Sequence, residues 1–453
     1  MQNTVSLLFL LTAATACDTD QVPPETTLTS ELVALDQALA ARDFIVQPGS
    51  FEFLDLSSCC DTFCSGNNPS SPYAAFFVPP GPGQSTPNPS PRPDGLASSY
   101  RMRHDEAIVF VGPPPPRAAY FGFTPYLMTR AAPDGTEKSI FASLSETLNH
   151  LVIHNPFEGM TAIIVAADRN TGAAARAALI DSGVPDTAIN LITLDPALAR
   201  FGLGSGTDTF GVLFRMALVT DAAKELAYLA NPGGTVYRIT PRTTGTFAKL
   251  TSPPARPKAT SPTETSLRPA VQRLGDAIVA ANPSYTARTV SVDEGVPDPI
   301  ACIANLTFCG GDNRDTNYPG TKVRVVFSDP DDFYVVFGVD HTKTGKTAYA
   351  NASVYAVEKL VGLASVASDE YANSARRYRP NDPDADKLYA WKLARSCHAE
   401  PYCLEIPYGT CPTGMPDGAL GTINFRTYLE PSSKTAPLPS TLIRDRIVAF
   451  KRK

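Results

Sequence analysis

Apolar positions recur along this chain with two different periods, and the switches between them mark its elements. Leu32, Leu35 and Leu39 fall on one helical face behind Thr29 or Ser30 as a cap, with Glu31 in the first turn. Ala107 to Val111 is a β-branched and aromatic run that stops at Gly112 and four prolines, and Ala119 to Met128 resumes the extended pattern. Strand, rigid turn, strand is therefore predicted. Thr161 to Ala167, Thr171 to Ser182 and Ala188 to Leu194 read as buried strand, Ala-rich helix closed by Gly183, and second strand. Together they predict a βαβ-like unit. Leu267 to Ala281 predicts another helix, with Leu267, Val271, Leu274 and Ile278 on one stripe and Pro283 as its stop. Lys322 to Phe327, Phe333 to Val339 and Thr347 to Val357 are strand-like, and the connections between them have hairpin composition, so an antiparallel meander is the economical reading.

The fold class predicted is mixed α/β and β-rich, in two bodies, the first with the βαβ-like unit and the second with the meander. The connecting segments divide the chain into an export signal (1–16), a tether and Cys/Pro-rich segment (17–99), an α/β body (100–250), a Pro/Thr/Ser-rich linker (251–266) and a β-rich, disulfide-containing body (267–453). One echo links the bodies. Ile108–Gly112 is followed by Tyr120 and Tyr126, and Val335–Gly338 by Tyr349 and Tyr355, each tyrosine pair six apart and on one strand face. Convergence on generic hairpin composition and duplication of an ancestral half both account for it.

Composition narrows the function. Of 453 residues, 43 % are hydrophobic and 19 % charged, so a packed core is affordable and global disorder is not expected. The net charge of −6, with no long basic run, excludes nucleic acid as a natural partner. Forty-two prolines predict a loop-rich chain.

The N-terminus carries an address. The apolar run Val5–Leu11 followed by small residues has the pattern of an export signal. Ala14-Thr15-Ala16-Cys17 resembles the lipobox of bacterial lipoproteins. That resemblance implies a diacylglycerol on the Cys17 thiol, hence a membrane partner through an N-terminal lipid. With Cys17 lipidated, Cys59, Cys60, Cys64, Cys302, Cys309, Cys397, Cys403 and Cys411 remain, an even number able to pair fully. Plain cleavage before Cys17 would leave nine. Cys302 with Cys309 is one natural pair, and adjacent Cys59 and Cys60 are expected to take different partners. Asn305-Leu306-Thr307 and Asn351-Ala352-Ser353 fit the glycosylation pattern of a secreted chain.

Candidate chemistry is sparse. His150 and His154 stand i,i+4 but lack the glutamate of a metalloprotease helix. His104, Asp105 and Glu106 could do acid–base work in an exported hydrolase. No nucleophile elbow accompanies them, and Gly202-Leu203-Gly204-Ser205-Gly206 reads as a loop. Asp382, Asp384 and Asp386 place carboxylates at alternate positions, a pattern able to supply several oxygens to calcium, and Gly310-Gly311-Asp312-Asn313-Arg314-Asp315 is similarly acidic with its own arginine. The expectation is an exported envelope or extracellular protein that binds a ligand or protein partner, with an exported enzyme as the alternative.

Overall fold

The computed structural model describes residues 25–61, 63–295, 298–327 and 329–453; the segment expected to be an export signal (1–16) and Cys17 lie outside them. In the first half, helix α1 (Glu25–Ala40) leads into β1 (Phe44–Phe53), β2 (Tyr73–Phe77), β3 (Ala107–Gly112), β4 (Ala118–Ala131), β5 (Glu137–Ser143), β6 (Leu148–Asn149) and β7 (Thr161–Ala166). Helix α2 (Arg169–Asp181), β8 (Ile189–Thr193), β9 (Thr209–Val219), α3 (Ala222–Ala230) and β10 (Thr235–Pro241) complete it. The second half has α4 (Arg268–Ala280), β11 (Tyr285–Val290), β12 (Val292–Asp293), α5 (Pro299–Asn305), β13 (Thr316–Asn317), β14 (Gly320–Thr321), β15 (Val325–Val326) and β16 (Phe333–Val339). It ends with β17 (Tyr349–Ala356), β18 (Val361–Ala367), β19 (Leu388–Ala394), β20 (Cys403–Glu405), β21 (Leu420–Tyr428) and β22 (Arg446–Arg452).

The protein is thus a β-rich, mixed α/β molecule in two bodies. Local chemistry explains the elements. Asp168 caps α2 by accepting from the Thr171 amide (2.9 Å), and β7 and β8 on either side of that helix pair in parallel, the expected βαβ unit. In α4, Pro269 sits in the first turn while Val271, Leu274 and Ile278 bury one stripe against Val335 and Phe337 of β16. β3, β7 and β16 are buried along their whole length, which is why they read as unbroken apolar runs. The 17–99 stretch supplies α1, β1 and β2.

The meander is corrected in its partners. β15, β16 and β17 are all antiparallel, but β16 lies between β19 and β22 while β15 and β17 join β21 in another sheet. Hairpin-like connections do not force pairing when each strand finds a better-covered partner farther along the chain.

The two halves repeat one topology. The path β1-β10-β3-β7-β8 in the first is matched by β11-β22-β16-β19-β20 in the second, down to the single parallel pair that ends each. Likewise β5-β4-β9 is matched by β18-β17-β21. Register agrees: Tyr126 faces Gly211 and Gly122 faces Arg215, as Tyr355 faces Thr422 and Asn351 faces Arg426. Of the two readings of the tyrosine echo, the structure supports an internal repeat. Left-handed backbone recurs too, at Phe141 and Leu360 (φ 45° and 48°) and at Leu218 and Leu429 (φ 56° and 60°). Side chains with a Cβ rarely adopt this conformation.

Candidate ligand-binding cavity

Two equivalent loops build the boundary between the repeats. Phe63-Cys64-Ser65-Gly66-Asn67-Asn68 in the first corresponds to Phe308-Cys309-Gly310-Gly311-Asp312-Asn313 in the second. Each is closed by a short disulfide, Cys59–Cys64 or Cys302–Cys309. Each docks on the opposite repeat. The Gly66 amide donates to the Leu360 carbonyl (2.8 Å) and the Gly311 amide to that of Phe141 (2.9 Å). The Asn67 side-chain oxygen accepts from the Gly362 amide and an Asp312 oxygen from the Ser143 amide, both at 2.8 Å. Asn68 and Asn313 donate to the hydroxyls of Tyr349 (3.1 Å) and Tyr120 (3.0 Å). Such reciprocity is the signature of an approximate two-fold relation. Gly66 and Gly311 have φ of +74° and +68°, and a Cβ at Gly311 would come within 2.4 Å of the Phe141 ring, so glycine is required there.

A cavity of about 800 Å³ opens at this boundary, lined by both loops and by Tyr73, Arg215, Tyr318 and Arg426. Arg215, on β9, has its guanidinium carbon 5.3 Å from the ring centre of Tyr73 and 5.4 Å from that of Tyr126, on the strands either side. Arg426, on β21, is placed likewise at 5.6 Å from Tyr318 and 5.4 Å from Tyr355. One Nη of each donates to the glycine carbonyl of the exchanged loop, Arg215 to Gly311 (3.1 Å) and Arg426 to Gly66 (2.7 Å). Arg426 also donates to the Tyr355 hydroxyl.

Their electrostatics set these arginines apart. Arg215 is 3 % and Arg426 4 % exposed, and among the described residues neither has a carboxylate oxygen within 4.0 Å. The Nε of each is buried without a hydrogen-bond partner. Of the other buried cations, Arg238 pairs with Glu106 (3.0 Å), Lys346 with Glu430 (2.8 Å) and Arg130 with Asp208 (2.6 Å), while Arg395 is held by the backbone carbonyls of Phe327, Ile406, Pro407, Met415 and Pro416. At the rim, Arg92 has Glu52 (2.7 Å) and Asp94. Burial works against the charge of Arg215 and Arg426, but the tyrosine oxygens around them outweigh it and both hold their protons firmly. Burial also pushes the Tyr428 phenol up to about 12 and raises the Asp312 carboxyl. The chemistry on offer is recognition of an anion by two forked donors in a water-poor, tyrosine-lined box.

The residues singled out in the sequence fall elsewhere. His104, Asp105 and Glu106 form no acid–base unit: His104 packs on Phe247, Asp105 pairs with Arg103 (2.8 Å), and Glu106 is sealed by Arg238 and Thr240. His150 sits against Tyr120 and Phe121, with burial pulling it down to about 4, and His154 is exposed. Asp382, Asp384 and Asp386 do not converge on a cation. Arg273 holds Asp382 (3.0 Å) and drags its carboxyl down to about 2, Arg376 holds Asp386 (2.6 Å), and Lys387 approaches Asp384 (3.6 Å). These side chains supply the positive charge a calcium ion would bring. Among the described residues, the one set of three close potential metal ligands is Cys59, Cys60 and Cys64, which are engaged in disulfides. Cys60 pairs with Cys411 across the repeats, and Cys397 with Cys403. Asn351 is 1 % exposed and its amide donates to Asn68, so a glycan has no room there, whereas Asn305 is exposed.

Tyr73, Arg215, Tyr318 and Arg426 were missed by motif reading. Two repeats could have revealed them: Phe-Cys-x-Gly-x-Asn at 63 and 308, and Phe-Arg-x-x-Leu at 214 and 425.

Four disulfides are compatible with an exported or extracellular protein, and among the described residues no helix is long and apolar enough to cross a membrane. No protein-family model and no curated protein matches the chain. Among solved structures it is similar to an uncharacterised protein from Burkholderia cenocepacia, at 12 % identity over 95 % of this chain and 91 % of that one, with a TM-score of 0.42. It is also similar to the VPA0106 protein from Vibrio parahaemolyticus, at 10 % identity over 94 % and 98 %, with a TM-score of 0.40.

Proposed function

We propose that this is an exported binding protein, held at a membrane by a lipid on Cys17, whose inter-repeat cavity takes an anionic small molecule. The observation that carries the reading is the pair of buried guanidiniums, equivalent in the two repeats, that line one cavity and, among the described residues, have no carboxylate oxygen within 4.0 Å. A buried charge without a partner is strongly unfavourable, and a ligand that supplies the counter-charge relieves it. The volume lies within the range of cavities that enclose small organic molecules. Carboxylates should raise the melting temperature of the wild type, matched alcohols should not, and Arg215→Gln with Arg426→Gln should remove the shift. A shift shared equally by carboxylate and alcohol would sink the reading. For the anchor, a palmitate analogue should label the wild type and not Cys17→Ser.

A further inference from the structure

The two ends of the cavity share a backbone but not a surface. Beside Arg215 stand Leu213 and Phe141; at the equivalent positions beside Arg426 stand Asn424 and Leu360. The first repeat adds an apolar wall of Phe53, Leu54, Phe77 and Met128, and none of these faces a counterpart in the lining from the second repeat. The loops differ in charge as well. Asp312, near Arg215, holds the Ser143 amide with a carboxylate, whereas Asn67, near Arg426, does the same work with a neutral amide. Arg314 also approaches Asp312 through Ser143 (3.3 Å), but its charge is shared with Glu146 (3.9 Å). Unbalanced positive charge is therefore concentrated at Arg426, and apolar surface along the first repeat.

We infer that the ligand is an amphipathic monoanion, with its acidic head on Arg426 and an acyl or aryl body laid along the first repeat. This rests on the cavity being an anion site, as proposed above. An anion at Arg426 meets Asn67, Asn424 and Tyr318, groups able to share its remaining lone pairs, while the hydrophobic effect retains the body against Leu213, Phe141, Phe77 and Met128.

The test is calorimetric titration of straight-chain carboxylates from butyrate to dodecanoate into the full mature chain. It uses the Cys17→Ser form, so that no detergent competes for the cavity. Affinity should rise about fourfold per added methylene until the wall is covered, the factor that ~0.8 kcal/mol per buried CH2 implies. Arg426→Gln should cut affinity at least about tenfold at every length and leave the slope intact, as loss of a charge-assisted contact does, and Arg215→Gln should cut it much less. Leu213→Asn, which copies the second repeat, should flatten the slope. If that variant does not fold, Met128→Gln at the half-exposed wall should do the same. Equal binding of butyrate and octanoate would overturn the amphiphile and leave the anion site standing. Equal losses at the two arginines would overturn the orientation. Failure of every carboxylate to bind would instead remove the anion site itself.

Discussion

Arg215 and Arg426 show how a side chain can hold charge in a core without a carboxylate in salt-bridge contact. The faces of Tyr73, Tyr126 and Tyr355 on flanking strands, and of Tyr318 between β13 and β14, offer cation–π contact, and one glycine carbonyl from the other repeat takes a hydrogen bond. This satisfies part of each fork and leaves the buried Nε without a hydrogen-bond partner. A few residues away, Asp315 illustrates the opposite case. It is fully buried, receives Asn149 (2.9 Å) and Tyr120 (3.2 Å), and burial pushes its carboxyl up to about 7, with Arg256 pulling against that rise. Because the folded value lies above the unfolded one, the native state binds the extra proton between the two. Asp315 therefore contributes stability that is complete below about pH 4 and lost as pH rises through about 7. Denaturant melts at intervals across that window should show Asp315→Asn gaining on the wild type as pH rises, by up to about 4 kcal/mol at roughly 1.4 kcal/mol per pH unit. A constant difference between the two proteins would contradict the buried, proton-holding carboxyl.

At the scale of elements, what was legible followed a local period. The βαβ unit and α4 each carry their own apolar spacing and stops, so their residues declare them. β16 and β17 declared themselves as strands but not their partners, because β16 pairs with β22 at the far end of the chain. The cavity was hidden for a related reason. Arg215 sits in an apolar strand that reads as core and Arg426 in a mixed one, and their meeting depends on the exchange of loops between repeats. The loop 310–315 reads as an acidic, calcium-like segment, yet Asp312 and Asp315 serve to clamp it onto Ser143 and Asn149. Those loops also differ in covalent restraint. Cys60–Cys411 closes a span of 351 residues and Cys302–Cys309 one of 7. If chain entropy dominates, opening the first with paired Ser substitutions should cost about 6 kcal/mol and opening the second about 2. Equal losses in chemical unfolding would show that native packing, rather than the unfolded chain, sets the effect.

Across the whole molecule, the repeat explains why the cavity lies where it does. A two-fold relation brings each strand's equivalent residues to the boundary in pairs, so one arginine per repeat becomes two in one box. Later divergence at Leu213 against Asn424 and at Asp312 against Asn67 gives that box a direction. The measurement that bears on this most directly is a crystal structure of the chain soaked with 8-bromooctanoate, with the bromine located by its anomalous signal. The account predicts one molecule in the inter-repeat cavity, a carboxylate oxygen at about 2.9 Å from a guanidinium nitrogen of Arg426, and the bromine against the wall of Phe77, Met128 and Leu213. A saturated crystal with bromine only outside this cavity, or with the carboxylate turned away from both arginines, would contradict it.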